Sequence, residues 1–215
     1  MSGIDPTVVG ERIEALRRRI DVAGGSDVSI VAVSKTFGPD AIDAAVSAGV
    51  VNVGENYAQE LADKIPKISS APTVHFIGRL QRNKIRRIAA FVDVWQSVDR
   101  GEVAVEIAKR SPGAKVMVQV DISGEESKGG CAVDQIESVM ATAVDHGLDV
   151  IGLMGVALLA QPAAARPGFA LLRRLVDRYE LQHCSMGMSG DLEVAIDEGS
   201  TMVRVGSDIF GSRSR

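Results

Sequence analysis

The chain has little of five things, and each shortage removes a class of protein. It lacks a basic excess: 215 residues carry 24 Lys and Arg against 28 Asp and Glu, a net charge of −4. A general nucleic-acid binder carries the opposite balance. It lacks a long apolar run. The longest uncharged one, 150–160, is about half of the ~20 residues a membrane-spanning helix needs, and it contains glycine. The N-terminus shows neither a basic n-region nor an apolar h-region, so no secretory signal is expected. Two cysteines, Cys131 and Cys184, stand far apart with no CxxC spacing. A reducing cytoplasm is the expected compartment, with both thiols as small packing residues. Three scattered histidines (75, 146 and 183) make no recognisable metal motif, so no metal is expected.

What is present is a regular alternation. Apolar residues are 46% and charged residues 24%, an ordinary globular balance. Asp5 and Pro6 open a helix whose Val9, Ile13, Leu16 and Ile20 recur at helical spacing, and Gly24-Gly25 ends it. A short β-branched apolar run at 28–34 reads as a buried strand, and further strands are expected at 50–53, 73–77, 93–98, 114–122, 148–154, 182–186 and 201–205. Helical patterns separate them at 39–48, 57–65, 82–90, 102–110, 133–146, 169–179 and 191–197, with a short one starting at Asp208. Strict strand–helix alternation implies a parallel sheet with helical crossovers. Eight units predict a single α/β domain over residues 1–215, a (β/α)8 TIM-type barrel with an extra N-terminal helix. No linker or composition shift divides the chain.

In such a barrel the chemistry sits at the C-terminal ends of the strands, and the loops after strands seven and eight commonly hold phosphate. Here those loops are Gly187-Met188-Ser189-Gly190-Asp191 and Gly206-Ser207. Both are rich in Gly or Ser and both enter helices, which suits a phosphate dianion. One such loop is ordinary turn chemistry; two at this pair of positions point to a phosphate ligand. Ser189 is the expected N-cap of the following helix, and Ser207 a source of a hydroxyl. Lys35 ends a wholly apolar strand, where a desolvated amine forms imines readily; a lysine snorkelling into solvent looks the same in sequence. Amine and phosphate together suggest an aldehyde-phosphate ligand, either pyridoxal 5′-phosphate (PLP) or a phosphosugar. Arg204 lies inside the last strand between apolar neighbours and needs an anion or acceptor, from the ligand or from a barrel carboxylate. The run Arg82, Lys84, Arg86 and Arg87 has no stacking aromatics and reads as a solvated helix face, so no nucleic-acid partner is expected.

The segments VAVSKT (31–36), VGENYAQE (53–60), HFIGRLQRNK (75–84), SVD (97–99), SGEESKGG (123–130), SMGMSGD (185–191) and GSTMVRVGSDIFGSR (199–213) run in order along nearly the whole chain. On them the sequence resembles the YggS/PROSC family, the pyridoxal phosphate homeostasis proteins. The resemblance implies a barrel like the N-terminal domain of alanine racemase, with PLP joined to Lys35 as a Schiff base. It further implies a phosphate site around Ser185, Met186, Gly187 and Ser189 together with Gly206 and Ser207. Arg204 would lie beside the cofactor, and Asn56 and Met154 would line the pocket. The implied role is to carry and buffer PLP and so support intracellular PLP and amino-acid homeostasis, with PLP-dependent apo-enzymes as recipients. The sequence departs from the family pattern at Arg79 and Arg82, and in a short, apolar segment after strand six (156–168).

No catalytic residue is assigned, and no robust turnover is expected. Racemisation in the related barrels uses a tyrosine from a second domain, whereas this chain has only Tyr57 and Tyr179. Without a placed acid or base, proton transfer at an amino-acid Cα is poorly catalysed. A weak PLP-dependent racemase or lyase is the alternative. The expected particle is cytoplasmic, off the membrane, and a monomer or weak dimer.

Overall fold

The computed structural model describes residues 4–125, 128–157 and 162–211. Eight parallel strands close into a barrel in chain order: β1 (Ser29–Val33), β2 (Asn52–Glu55), β3 (Thr73–Phe76), β4 (Val94–Val98), β5 (Lys115–Val120), β6 (Asp149–Gly155), β7 (His183–Ser185) and β8 (Met202–Val205). Nine α-helices accompany them among the described residues. They are α1 (Pro6–Val22), α2 (Pro39–Ser47), α3 (Ala58–Lys64), α4 (Arg82–Ile88), α5 (Gly101–Arg110), α6 (Ile136–Asp145), α7 (Pro162–Arg178), α8 (Leu192–Asp197) and α9 (Ser207–Phe210). The expected barrel and its added N-terminal helix are therefore both present. The closing pair is β1 with β8, in a register that sets Val31 opposite Arg204.

Local chemistry explains the first helix. The Asp5 carboxylate accepts from the Thr7 N–H at 2.9 Å, Pro6 takes the first position, and Val9, Ile13, Leu16 and Ile20 are the buried face. Most boundaries shift by a residue or two, and three differences have a physical reason. β2 begins at Asn52 rather than Val50, because Val50 packs against the α1–α2 side of the core and Val51 is exposed. The Val50-Val51 pair imitates a strand, while the paired residues include Gly54 and Glu55, which have low strand propensity. α7 runs back to Pro162 through Pro167-Gly168, a dipeptide that reads as a break. Gly168 is required there by packing, since a Cβ would lie 2.7 Å from the Ile122 carbonyl oxygen. The segment expected as a helix from Val133 begins as a 3₁₀ turn, Val133–Gln135, and becomes α6 at Ile136.

The two-residue period of each strand sorts its side chains. Ile30 and Ala32 on β1, with Val203 and Val205 on β8, join the outer layer beneath α1, α2 and α9. Val31, Val94, Met117, Met154 and Met202 fill the barrel interior. The same parity carries Val33 and Lys35, and Arg204, inward at the C-terminal mouth. It carries Ser34 and Glu55 outward, toward α3. No helix among the described residues is long and apolar enough to cross a membrane.

Candidate functional site

A cavity of about 690 Å³ opens at the C-terminal mouth, a size typical of small-molecule sites. Seven of the ten residues singled out from sequence line it: Lys35, Asn56, Met154, Ser189, Arg204, Gly206 and Ser207. The other three lie beneath or behind its wall. Ser185 is fully buried in the barrel, and its hydroxyl donates to Gln96 Oε1 at 2.7 Å. Met186 points the other way, into the core under the outer helices, where Cys184 Sγ lies 3.6 Å from its sulfur. Gly187 offers its carbonyl to the Arg204 N–H at 2.9 Å. Arg79 and Arg82 are exposed and do not line the cavity; Arg82 sits on an outer groove with Arg86, Arg100 and Arg110. Of the segment 156–168, residues 158–161 lie outside the described ones, while Val156 lines the cavity.

Arg204 is spent mainly on the barrel itself. Its Nη1 donates to the Ser185 carbonyl and hydroxyl oxygens, each at 2.8 Å, and its Nη2 to the Gly155 carbonyl at 2.8 Å. Burial pushes its guanidinium down to about 10, with the Asp191 carboxylate pulling the other way. Ser185 and Gln96 extend this contact into a polar chain. Gln96 Nε2 donates to His75 Nδ1 at 2.7 Å, and the remaining ring nitrogen of His75 lies 3.2 Å from Asn52 Oδ1. His75 is thus a satisfied interior residue, held neutral by burial, with its pKa pushed down to about 4.

The loops after β7 and β8 meet. Ser207 Oγ donates to Ser189 Oγ at 3.0 Å across 18 residues of sequence. Ser189 is not the helix cap that its position suggests. Asp191 occupies the N-cap of α8, and its Oδ1 accepts from the Met188 N–H at 2.5 Å, which tightens the turn and leaves the Ser189 hydroxyl for Ser207. Opposite, the Asn56 Oδ1 is buried and has no hydrogen-bond partner among the described residues. A buried acceptor of this kind calls for a donor from a ligand. Gly78 sets the strand end that carries it, because a Cβ there would lie 1.8 Å from the Asn56 carbonyl oxygen.

Residues not singled out from sequence complete the lining: Val33, Phe37, Ile77, Lys128, Val156, Met188, Gly190 and Gly211. Lys128 belongs to the SGEESKGG segment, and its carbonyl accepts from Gln119 Nε2 at 2.9 Å. The titratable lining residues among those described are Lys35, Lys128 and Arg204. Tyr57 is half exposed at the start of α3, and Tyr179 Oη donates to Glu137 on the outer surface at 3.1 Å. Among the described residues no cluster of His, Cys, Asp or Glu could hold a metal ion. Nor do the thiols have a reactive setting: burial pushes Cys131 up to about 11 and Cys184 up to about 12.

Beneath Lys35 lies a polar cluster in which Glu55, an acid/base candidate with no visible partner in the sequence, is paired with Ser34 and Lys64. Lys64 at the end of α3 is buried, and its ammonium donates to the Ser34 carbonyl at 2.9 Å, Glu55 Oε1 at 2.8 Å and Glu60 Oε2 at 2.8 Å. Ser34 Oγ donates to Glu55 Oε1 at 2.6 Å, and the Thr36 N–H to Glu60 Oε2 at 2.8 Å. Burial pushes the Glu55 carboxyl up, against the pull of Lys64 and Ser34. Thr36 has φ +70°, the left-handed region, which a β-branched residue adopts at a cost of about 1–3 kcal/mol. The i, i+4 pair Glu60/Lys64 was the available sequence signal.

Comparison with known proteins places the chain among relatives. The family model described as alanine racemase, N-terminal domain, matches residues 4–214. A pyridoxal phosphate homeostasis protein of Pseudomonas aeruginosa is 39% identical over 216 residues, covering 94% of this chain and 93% of that one. One of the same description from Aquifex aeolicus is 35% identical, covering 94% and 97%. The structure of PipY from Synechococcus elongatus, solved with PLP bound, superposes with a TM-score of 0.84 at 29% identity, over 94% of this chain and all of that one.

Proposed function

The chain belongs to the alanine racemase N-terminal domain family, as a relative of its pyridoxal phosphate homeostasis proteins, and from that premise we propose that it binds PLP at the barrel mouth through Lys35. When bound, the cofactor supplies an aldehyde that condenses with an amine, an electron-withdrawing pyridine ring and a phosphate anchor. The residues present fit such a group. The orphaned Asn56 Oδ1 offers an acceptor to a ring hydroxyl. The paired Ser189 and Ser207 hydroxyls and the Gly206 turn face the same cavity and suit a phosphate. Arg204 would bring a positive charge, and Met154 an apolar surface, to a group bound in the cavity they line. Lys35 reaches the cavity from the strand parity that also places Val33 there.

The observation that carries this reading is the convergence of Lys35, Asn56, Arg204, Ser189 and Ser207 on one 690 Å³ cavity. The role proposed is to carry and buffer PLP for PLP-dependent apo-enzymes rather than to turn over substrate. Apart from Lys35 and Lys128, the described lining residues include no carboxylate, histidine, cysteine or tyrosine to serve as a second acid or base at an amino-acid Cα. We place the protein in the cytoplasm, as one domain over residues 1–215 and as a monomer or weak dimer. The test is an absorbance spectrum of PLP-loaded protein beside Lys35→Ala, followed by mixing with a PLP-requiring apo-enzyme. The expected result is a visible band, lost on borohydride reduction and missing in the variant, with PLP passed to the apo-enzyme. A loaded protein that releases none, and instead exchanges the α-proton of alanine or serine into deuterated water, would favour the weak racemase.

A further inference from the structure

We propose that Lys64 is a positioning residue for Lys35, acting through the backbone on both sides of it; the inference rests on the PLP reading above. The two peptide groups that flank Lys35 are tied to one ammonium. Lys64 Nζ binds the Ser34 carbonyl directly, and it binds the Glu60 carboxylate that accepts the Thr36 N–H. Its third proton goes to Glu55, which also accepts from the Ser34 hydroxyl. All three ammonium protons are therefore used, and all three serve the turn that carries Lys35.

This arrangement exceeds what packing requires. The Lys64 and Glu55 side chains are 9% and 0% exposed, so the pair carries a desolvation cost that an apolar pair of the same volume avoids. Thr36 is held left-handed beside it, a conformation that persists only where its surroundings over-determine it. Period-two alternation sends Ser34 and Glu55 to the outer face and Lys35 to the inner one. The cluster thus grips the turn from behind while the amine faces the cavity. Its function follows: it fixes the direction of the Lys35 side chain, so that ordering the amine for bond formation costs less when the aldehyde arrives.

The test compares two ligands. PLP has an aldehyde for Lys35, whereas pyridoxamine 5′-phosphate has the same ring and phosphate and cannot bond to an amine in this way. Lys64→Met is expected to weaken PLP binding at least tenfold and to slow the appearance of the visible band. Pyridoxamine 5′-phosphate affinity should stay within twofold of wild type. In a Lys35→Ala background, Lys64→Met should add no further loss of PLP affinity. Should Lys64→Met fail to fold, Glu60→Gln is decisive, because it keeps an acceptor for Thr36, removes the charge that Lys64 grips and lies nearer the surface. It is expected to show the same selective loss at smaller size. Equal losses for both ligands, or no loss for either, overturn the positioning role. A wild-type protein that develops no band overturns the PLP reading itself, and this inference with it.

Discussion

Arg204 and Ser185 are locked together inside the barrel: one guanidinium nitrogen donates to both the carbonyl and the hydroxyl oxygen of the serine, each at 2.8 Å. The contact gives each residue a structural duty. Ser185 is fully buried and its hydroxyl proton is given to Gln96, and Arg204 is a rigid part of the cavity wall.

That rigidity makes Arg204 costly to replace. Arg204→Met strands the Ser185 and Gly155 carbonyls in the interior, at about 1–3 kcal/mol for each unsatisfied group. Chemical denaturation should show a loss of about 2–5 kcal/mol, and PLP affinity should fall as well. Arg204→Lys keeps the charge but cannot span both acceptors with a fork. It should recover part of the stability and little of the binding. An Arg204→Met protein as stable as wild type would mean that the three hydrogen bonds contribute nothing net.

The hydroxyl pair Ser189–Ser207 separates phosphate recognition from the rest of the cofactor. Ser207 is exposed and Ser189 partly so, so the double alanine variant should change stability by no more than about 0.5 kcal/mol. Its PLP affinity should drop roughly 10- to 100-fold, given about 1.5–3 kcal/mol for a hydrogen bond to a charged group. Affinity for pyridoxal, which has no phosphate, should not move. Titration of both ligands against both proteins checks this, and parallel losses would place the phosphate elsewhere.

His75 contributes a pH dependence of its own. Burial, with a smaller contribution from His183, pushes its pKa from 6.5 to about 4. Between those values the unfolded chain binds a proton that the folded chain refuses, so stability falls as pH drops through 6.5 toward 4. By pH 4.5 the loss from this residue is about 2–3 kcal/mol. His75→Gln should flatten that part of the acid slope in denaturant melts taken between pH 7 and 4.5. An unchanged slope would mean that His75 accepts its proton without unfolding.

Cys131 and Cys184 should be silent toward thiol reagents at pH 7.5. Both are buried, and both are pushed far above the ordinary thiol value, and the thiolate is the reactive form. Their labelling rate should therefore track global unfolding in a denaturant series. Rapid labelling of the native protein would expose a local opening at β7 or at the bridge between Cys131 and Val120.

The legible parts of the sequence were those with a strong period. The α1 stripe of Val9, Ile13, Leu16 and Ile20, and the β-branched runs of β1, β5 and β8, each have one low-energy interpretation. The Gly/Ser loops after β7 and β8 marked the mouth because fold topology predicts where such loops meet. What was illegible depended on partners distant in sequence. Val50-Val51 imitates a strand because an apolar pair does not reveal whether it faces a barrel or a helix. Ser189 looks like a cap, but Asp191 takes that position and the Ser189 hydroxyl meets Ser207, 18 residues on. Lys64 looks like one more surface lysine at the end of a helix. Only the parity of β1 and β2 brings Ser34 and Glu55 under it, and no local pattern records that meeting.

The most direct test of the account is to reduce the PLP-loaded protein with borohydride, digest it and locate the pyridoxyl mass by peptide sequencing. A single modified residue, Lys35, is expected. A pyridoxyl group on Lys128, the other lysine of the cavity wall, or spread over surface lysines, would contradict it.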